Sequence, residues 1–126
     1  MGWEIFNRQK ISNRPGYVTF TLRGYEKDDQ ISVRFTQPVQ EKYKMRDYPF
    51  IRFAYDKRKH WLGFELLERK SEGAYPMNSE FVFGVTGLFR KYNIDIKKIV
   101  GHYIPFREYD TDAFIIVDLN KMVEPL

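Results

Sequence analysis

The chain has 126 residues, 43% of them hydrophobic and 30% charged, which is enough for one domain with a sizeable core. It contains no cysteine, so disulfide staples, thiolate zinc sites and cysteine nucleophiles are excluded. Its net charge of +4 is uneven: residues 1–71 hold 15 Lys and Arg against 9 Asp and Glu, whereas residues 72–126 hold 6 against 8.

The first candidate strand is residues 3–6 (WEIF). Asn13-Arg14-Pro15-Gly16 is a turn signal, because Pro fixes one φ and Gly permits the next. From Tyr17 to Arg23 the chain alternates, with Val18, Phe20 and Leu22 on one face, as a half-buried strand does. Glu26-Lys27-Asp28-Asp29 turns the chain. Ile31, Val33 and Phe35 then alternate with Ser32 and Arg34, giving a second strand that pairs with the first as a hairpin.

Thr36 is placed to cap a short helix, Gln37 to about Tyr43, in which Pro38 is tolerated in the first turn. Val39 and Tyr43, at i and i+4, face the core. A strand over Pro49–Tyr55, a charged tip Asp56-Lys57-Arg58-Lys59-His60 and a return strand Trp61–Leu67 form a second hairpin, with Leu62, Phe64 and Leu66 inward. The polar stretch 68–79 reads as a connector. Phe81, Phe83 and Val85 alternate as a strand. Thr86 then caps a helix bearing Leu88, Phe89 and Tyr92, and Asn93 suits a left-handed C-terminal position. A strand over about Ile99–Glu108, a turn at Asp110-Thr111-Asp112 and a strand Ala113–Leu119 complete a third hairpin. Residues 121–126 read as a loose tail.

This order repeats itself. Thr36 corresponds to Thr86, and Asp56 to Asp110. The chain therefore reads as one domain, 1–126, composed of N-terminal strands (1–30), a first unit (31–67), a connector (68–79), a second unit (80–120) and the tail. The fold expected is mainly β (α+β). It is an internally duplicated strand–short helix–β-hairpin unit with pseudo-two-fold symmetry, closing a small barrel-like sheet beside an extra N-terminal hairpin. The high aromatic share, with 11 Phe and 9 Tyr, suits strands and a core filled by rings.

On the segments VRFTQPVQEKYKM and FIRFAYDKRKHWLGFEL, the unit resembles the swapped-hairpin fold of the AbrB-type transition-state regulators. In that family two copies interleave their hairpins and bind DNA. The chain departs from the family in lacking its Gly-Arg opening and its Leu-Gly after the helix; Tyr43-Lys44-Met45 and Tyr92-Asn93-Ile94 stand there instead. The resemblance implies a DNA-binding regulator.

Catalytic material is sparse. His60 and His102 have no second ligand at metal spacing, and no cofactor is expected. No glycine-rich phosphate loop and no serine-nucleophile elbow occur. The Asp56 and Asp110 carboxylates are better read as turn residues than as an acid–base pair, so the chain is not read as an enzyme. The candidate nucleic-acid-binding residues are Arg34, Lys42, Lys44, Arg46, Arg52, Lys57, Arg58 and Lys59, because phosphate binding needs cations gathered on one face. Arg90, Lys91, Lys97 and Lys98 are further cations. Tyr17, Tyr48 or Trp61, if exposed, would stack on unpaired bases. The leading reading is a DNA- or RNA-binding protein with its contacts on the first unit. The alternative is a protein-interaction module using a patch around Trp61, Phe114 and Ile116. No apolar run approaches the roughly 18 residues of a membrane span and MGWEIFNRQK lacks a signal-peptide core, so a cytoplasmic protein without a membrane partner is expected. Homo-oligomerisation stays open.

Overall fold

In a computed structural model the described residues are Gly2, 16–25, 28–107 and 113–124. The expected strand at 3–6, most of the turn at 13–16 and the turn at 110–112 lie outside them. The first two strands, β1 (Val18–Tyr25) and β2 (Asp28–Phe35), pair antiparallel from Val18 opposite Phe35 to Tyr25 opposite Asp28. Alternation sets their faces: Val18, Phe20, Ile31, Val33 and Phe35 are buried and Arg34 is exposed. A short helix α1 (Gln37–Lys42) and a 3-10 turn (Met45–Asp47) follow, linked by Lys44 in the left-handed region. Then β3 (Phe50–Asp56) and β4 (Trp61–Leu67) form the second hairpin, with Ile51, Leu62, Phe64 and Leu66 buried.

The rest of the chain extends both sheets. β5 (Tyr75–Pro76) pairs with β3, so the connector is structured; its proline is tolerated because the strand lies at an edge. β6 (Val82–Gly84) pairs with β2, and α2 (Thr86–Lys91) follows. The strand expected over 99–108 is broken. Asp95 accepts a hydrogen bond from the Lys97 N–H and starts a one-turn helix α3 (Ile96–Ile99), leaving only β7 (Gly101–Tyr103) as strand against β1. Phe106 then bridges Ile116 on β8 (Phe114–Asp118), which pairs with β4. The tail is held as well: Val123 donates its N–H to the His102 carbonyl at 2.8 Å.

The protein is mainly β: the described residues form three short helices and two four-stranded antiparallel sheets, ordered β6-β2-β1-β7 and β5-β3-β4-β8. The sheets do not close into the barrel expected from the sequence. They are joined by rings: Phe35 meets Phe64 edge to face at 4.9 Å between centroids, and Phe53 meets Phe83 at 5.9 Å. Phe20 lies against both Tyr103 and Phe89 of α2. Each such ring contributes roughly 1.5–3 kcal/mol by burial, and each ring pair about 0.5–1.5 kcal/mol more.

The two threonines act differently from the helix caps expected. Neither makes a side-chain cap bond. The Thr36 hydroxyl accepts from the Tyr17 N–H at 2.8 Å and donates to the Tyr17 carbonyl at 3.1 Å. Thr86 does the same to Ile31, at 3.0 and 3.5 Å. Each hydroxyl thus bonds both peptide groups of a residue where a ladder ends, beside the backbone bonds from the Thr36 and Val85 N–H groups to the same carbonyls. A single oxygen cannot serve that residue and cap its own helix equally well.

Gly101 has φ of 151°, and a Cβ built there would lie 2.5 Å from the Met122 sulfur. Gly101→Ala is therefore expected to lose about 1–3 kcal/mol in urea unfolding. The Tyr103 hydroxyl is buried and donates to the Ile99 carbonyl at 2.7 Å, and burial pushes its pKa from 10.0 up to about 12. Because the folded state holds this proton more tightly, its contribution is complete below pH 10. It is lost as pH rises toward 12, by on the order of 2 kcal/mol. Urea unfolding between pH 8 and 11.5 should show that decline. Tyr103→Phe should flatten it while costing about 1 kcal/mol at neutral pH.

Candidate nucleic-acid interface

The β3–β4 tip carries three consecutive cations, Lys57, Arg58 and Lys59, and it is rigidly built. Asp56 Oδ1 accepts from the N–H groups of Arg58 and Lys59 at 3.0 and 3.2 Å, which is the turn role expected of it. His60 takes a positive φ of 58°, and its Nδ1 shares a hydrogen bond of 2.7 Å with the Tyr55 hydroxyl. From the other side, the Asn120 carboxamide donates to the Lys59 carbonyl and the Leu119 N–H donates to that of His60. The backbone is thereby fixed at both flanks. Lys57 and Arg58 are exposed, with no carboxylate partner among the described residues. Lys59 lies 4.4 Å from the Trp61 ring, a cation–π contact.

Tyr55 connects the tip to α2. Its ring meets that of Tyr92 at 5.0 Å, and burial together with the Asp56 carboxylate raises its pKa. Tyr92 follows directly on exposed Arg90 and Lys91, and the Lys91 ammonium lies 5.4 Å from the Tyr92 ring. Four exposed cations from two distant segments are thus carried by elements that touch. Beside them is a groove of about 230 Å³ between the hairpin and α2, with Phe53, Tyr75 and Tyr92 among its walls, Lys91 at its rim and Gly84 on the β6 side. Tyr75 is 49% exposed and Tyr92 38% exposed.

The other sequence candidates are placed elsewhere. Arg52 is held by Glu65, its cross-strand neighbour, with both carboxylate oxygens 3.0 Å from one guanidinium nitrogen. Arg34 stands exposed on the outer face of β2, between Thr19 and Val82. Lys42 and Arg107 both approach the Tyr43 ring, at 5.6 and 5.9 Å, and Arg46 lies 5.9 Å from the Phe81 ring. Lys44 is exposed in its left-handed turn. The α1 cations therefore gather around Tyr43 and Phe81, whereas the tip cations gather with α2.

Of the suggested stacking residues, Tyr17 packs on His102, Tyr48 on the core, and Trp61 on Phe106 at 5.0 Å; all three are half-buried. The patch suggested around Phe114 and Ile116 is largely closed, because Phe106 bridges Ile116 and leaves it 3% exposed. Among the described residues the exposed aromatics are Tyr75 and Tyr92. Tyr75 sits in what reads as a connector, and Tyr92 holds a helical position that suggests the core. Neither had a sequence signal that separated it from a packing residue. Both histidines are hydrogen-bonded within the fold, His102 to Thr19 at 2.8 Å. Among the described residues no three His, Asp or Glu side chains gather at a metal-binding distance. Compared with protein-family models, curated proteins and solved structures, the chain matches none.

Proposed function

We propose that this protein binds nucleic acid without catalysing a reaction, through the β3–β4 tip and the end of α2. The observation that carries the reading is the meeting of Lys57 and Arg58 with Arg90 and Lys91 across the Tyr55–Tyr92 contact. Exposed cations beside exposed aromatic rings suit a phosphate backbone and unpaired bases together. Fixing the tip by Asp56 and Asn120 lowers the ordering cost of binding.

An internally duplicated scaffold supports the reading. In the first sheet Val33 lies opposite Phe83, numbers differing by 50; in the second, Gly63 lies opposite Ile116, numbers differing by 53. The Phe35 N–H donates to the Phe81 carbonyl, and the Val85 N–H to that of Ile31, a bond and its counterpart shifted by 50. A pseudo-two-fold axis through both strand pairs would produce this. The first unit's β3–β4 hairpin reaches the second unit's helix through Tyr55 and Tyr92, and the chain after β7 reaches the first unit's helix through Arg107 and Tyr43. Such an exchange of hairpins is the arrangement the AbrB-type resemblance implies.

A second reading, a protein-interaction module, draws on Ile104 and Met122, which are 49% and 47% exposed. Ile104 lines a hollow of about 370 Å³ with Trp61, Phe106 and Val123. The two readings separate in one titration. Fluorescence anisotropy with a mixed-sequence 20-mer single strand and its duplex should show binding near 50 mM salt that weakens steeply as salt rises. Lys57→Glu with Arg58→Glu should lower affinity at least tenfold and reduce the salt slope by about 1 or more. Absence of binding to either probe near 50 mM salt overturns the proposal and leaves the interaction module.

A further inference from the structure

Among the described residues β6 is an edge strand, and its edge is occupied unevenly. The bonds from the Phe35 N–H to the Phe81 carbonyl and from the Val85 N–H to the Ile31 carbonyl set the parity of the β2–β6 ladder. By that parity Phe83 directs its peptide groups toward Val33, and Val82 and Gly84 direct theirs to the open side. Val82 is covered: the Asn78 Nδ2 donates to its carbonyl at 2.8 Å, and Asn78 Oδ1 accepts from its N–H at 3.3 Å. A planar carboxamide has docked its donor–acceptor edge on one extended residue. Gly84, two residues on, presents the same pair of groups, has no partner for them among the described residues, and borders the groove walled by Tyr75 and Tyr92. A Cβ built at Gly84 meets nothing within 4 Å.

We infer that this groove takes one unpaired nucleobase, its ring against Tyr75 or Tyr92 and its Watson–Crick edge on the N–H and C=O of Gly84. The inference rests on the nucleic-acid reading above and names the ligand's state: single-stranded. Every base carries an acceptor beside a donor on that edge, and pairing in a duplex uses both. The groove volume lies below the roughly 300–1,000 Å³ of drug-sized sites, so it accommodates one ring system. An extended peptide fits less well. Strand addition needs a run of open peptide groups, but Asn78 covers those of Val82 and α2 begins at Thr86, leaving one residue. Lys91 at the rim and the Lys57–Arg58 tip beyond Tyr92 give the flanking phosphates a path away from the groove.

The test compares a fluorescein-labelled 12-mer of deoxyadenosine as a single strand with the same strand in a duplex, at matched salt, on the full chain. Single-strand binding is expected to be at least tenfold tighter. Tyr75→Ala should weaken single-strand binding about fivefold or more while leaving duplex affinity and the salt slope unchanged, and Tyr92→Ala should weaken single-strand binding as well. The Phe variants at both positions, which keep the ring, should retain affinity and so exclude a folding defect. The Gly84 amide resonance should shift on adding the single strand and stay in place with the duplex. Equal affinity for both forms, with the Ala variants unaffected, overturns the inference while the nucleic-acid reading stands. Binding of neither form overturns that reading itself. Displacement of the single strand by an unlabelled extended peptide assigns the groove to peptides and also overturns the inference.

Discussion

A layer of aromatic rings between two open sheets is the constraint on which the other features depend. Without disulfides, and with helices of only four to six residues, the sheets must be joined by what their inner faces present. Phe35 on Phe64 and Phe53 on Phe83 make that join, and Phe20 extends it to α2 through Phe89. Rings suit the task because each buries a large area while losing only two torsions, and edge-to-face pairs prefer one geometry. That preference fixes the spacing of the β3–β4 hairpin from β6, and with it the width of the groove between them. Phe53 serves both ends, since it is a core ring on one side and a groove wall on the other.

Polar bonds then finish what the rings leave open. Thr36 and Thr86 each bond both peptide groups of one residue at the end of a ladder, Tyr17 and Ile31. Asn78 does the same for Val82, and Asp56 and Asn120 for the tip. These are neutral or surface interactions, each contributing about 1 kcal/mol. Their larger effect is to hold backbone in place at sites that face solvent. A rigid basic tip and an edge with one uncovered residue are both products of that local fixing.

Charge follows a different logic from packing. The Arg52–Glu65 pair is a cross-strand contact on the outer face, partly exposed and worth about 1 kcal/mol or less. It holds the Arg52 guanidinium beside a carboxylate. Lys42 and Arg46 settle over the rings of Tyr43 and Phe81, and Lys59 over Trp61. Lys57 and Arg58 at the tip and Arg90 on α2 are exposed without such partners among the described residues, and they come from halves of opposite net charge. Summing charge along the sequence could not pair them.

Alternation in the sequence determined the inward residues of β1, β2 and β4, because a period of two in a half-buried strand leaves little choice of face, but in β8 it marked Ile115 and Val117 and not Ile116, which is buried as well. The tip at Asp56, the left-handed Asn93 and the buried Val39 and Tyr43 were legible for similarly local reasons. The strand expected through residue 99 was not, since the Asp95 cap competes with an apolar run that reads equally well as strand. Nor was β5, two residues long and defined only by its partner. What the tertiary structure alone decided is which distant segments meet: Tyr55 with Tyr92, the tip with Asn120, and Tyr75 with Gly84 across the groove. Those meetings depend on how two sheets join through their rings, and local periodicity carries no information about a contact such as that of Lys59 with Asn120, 61 residues apart.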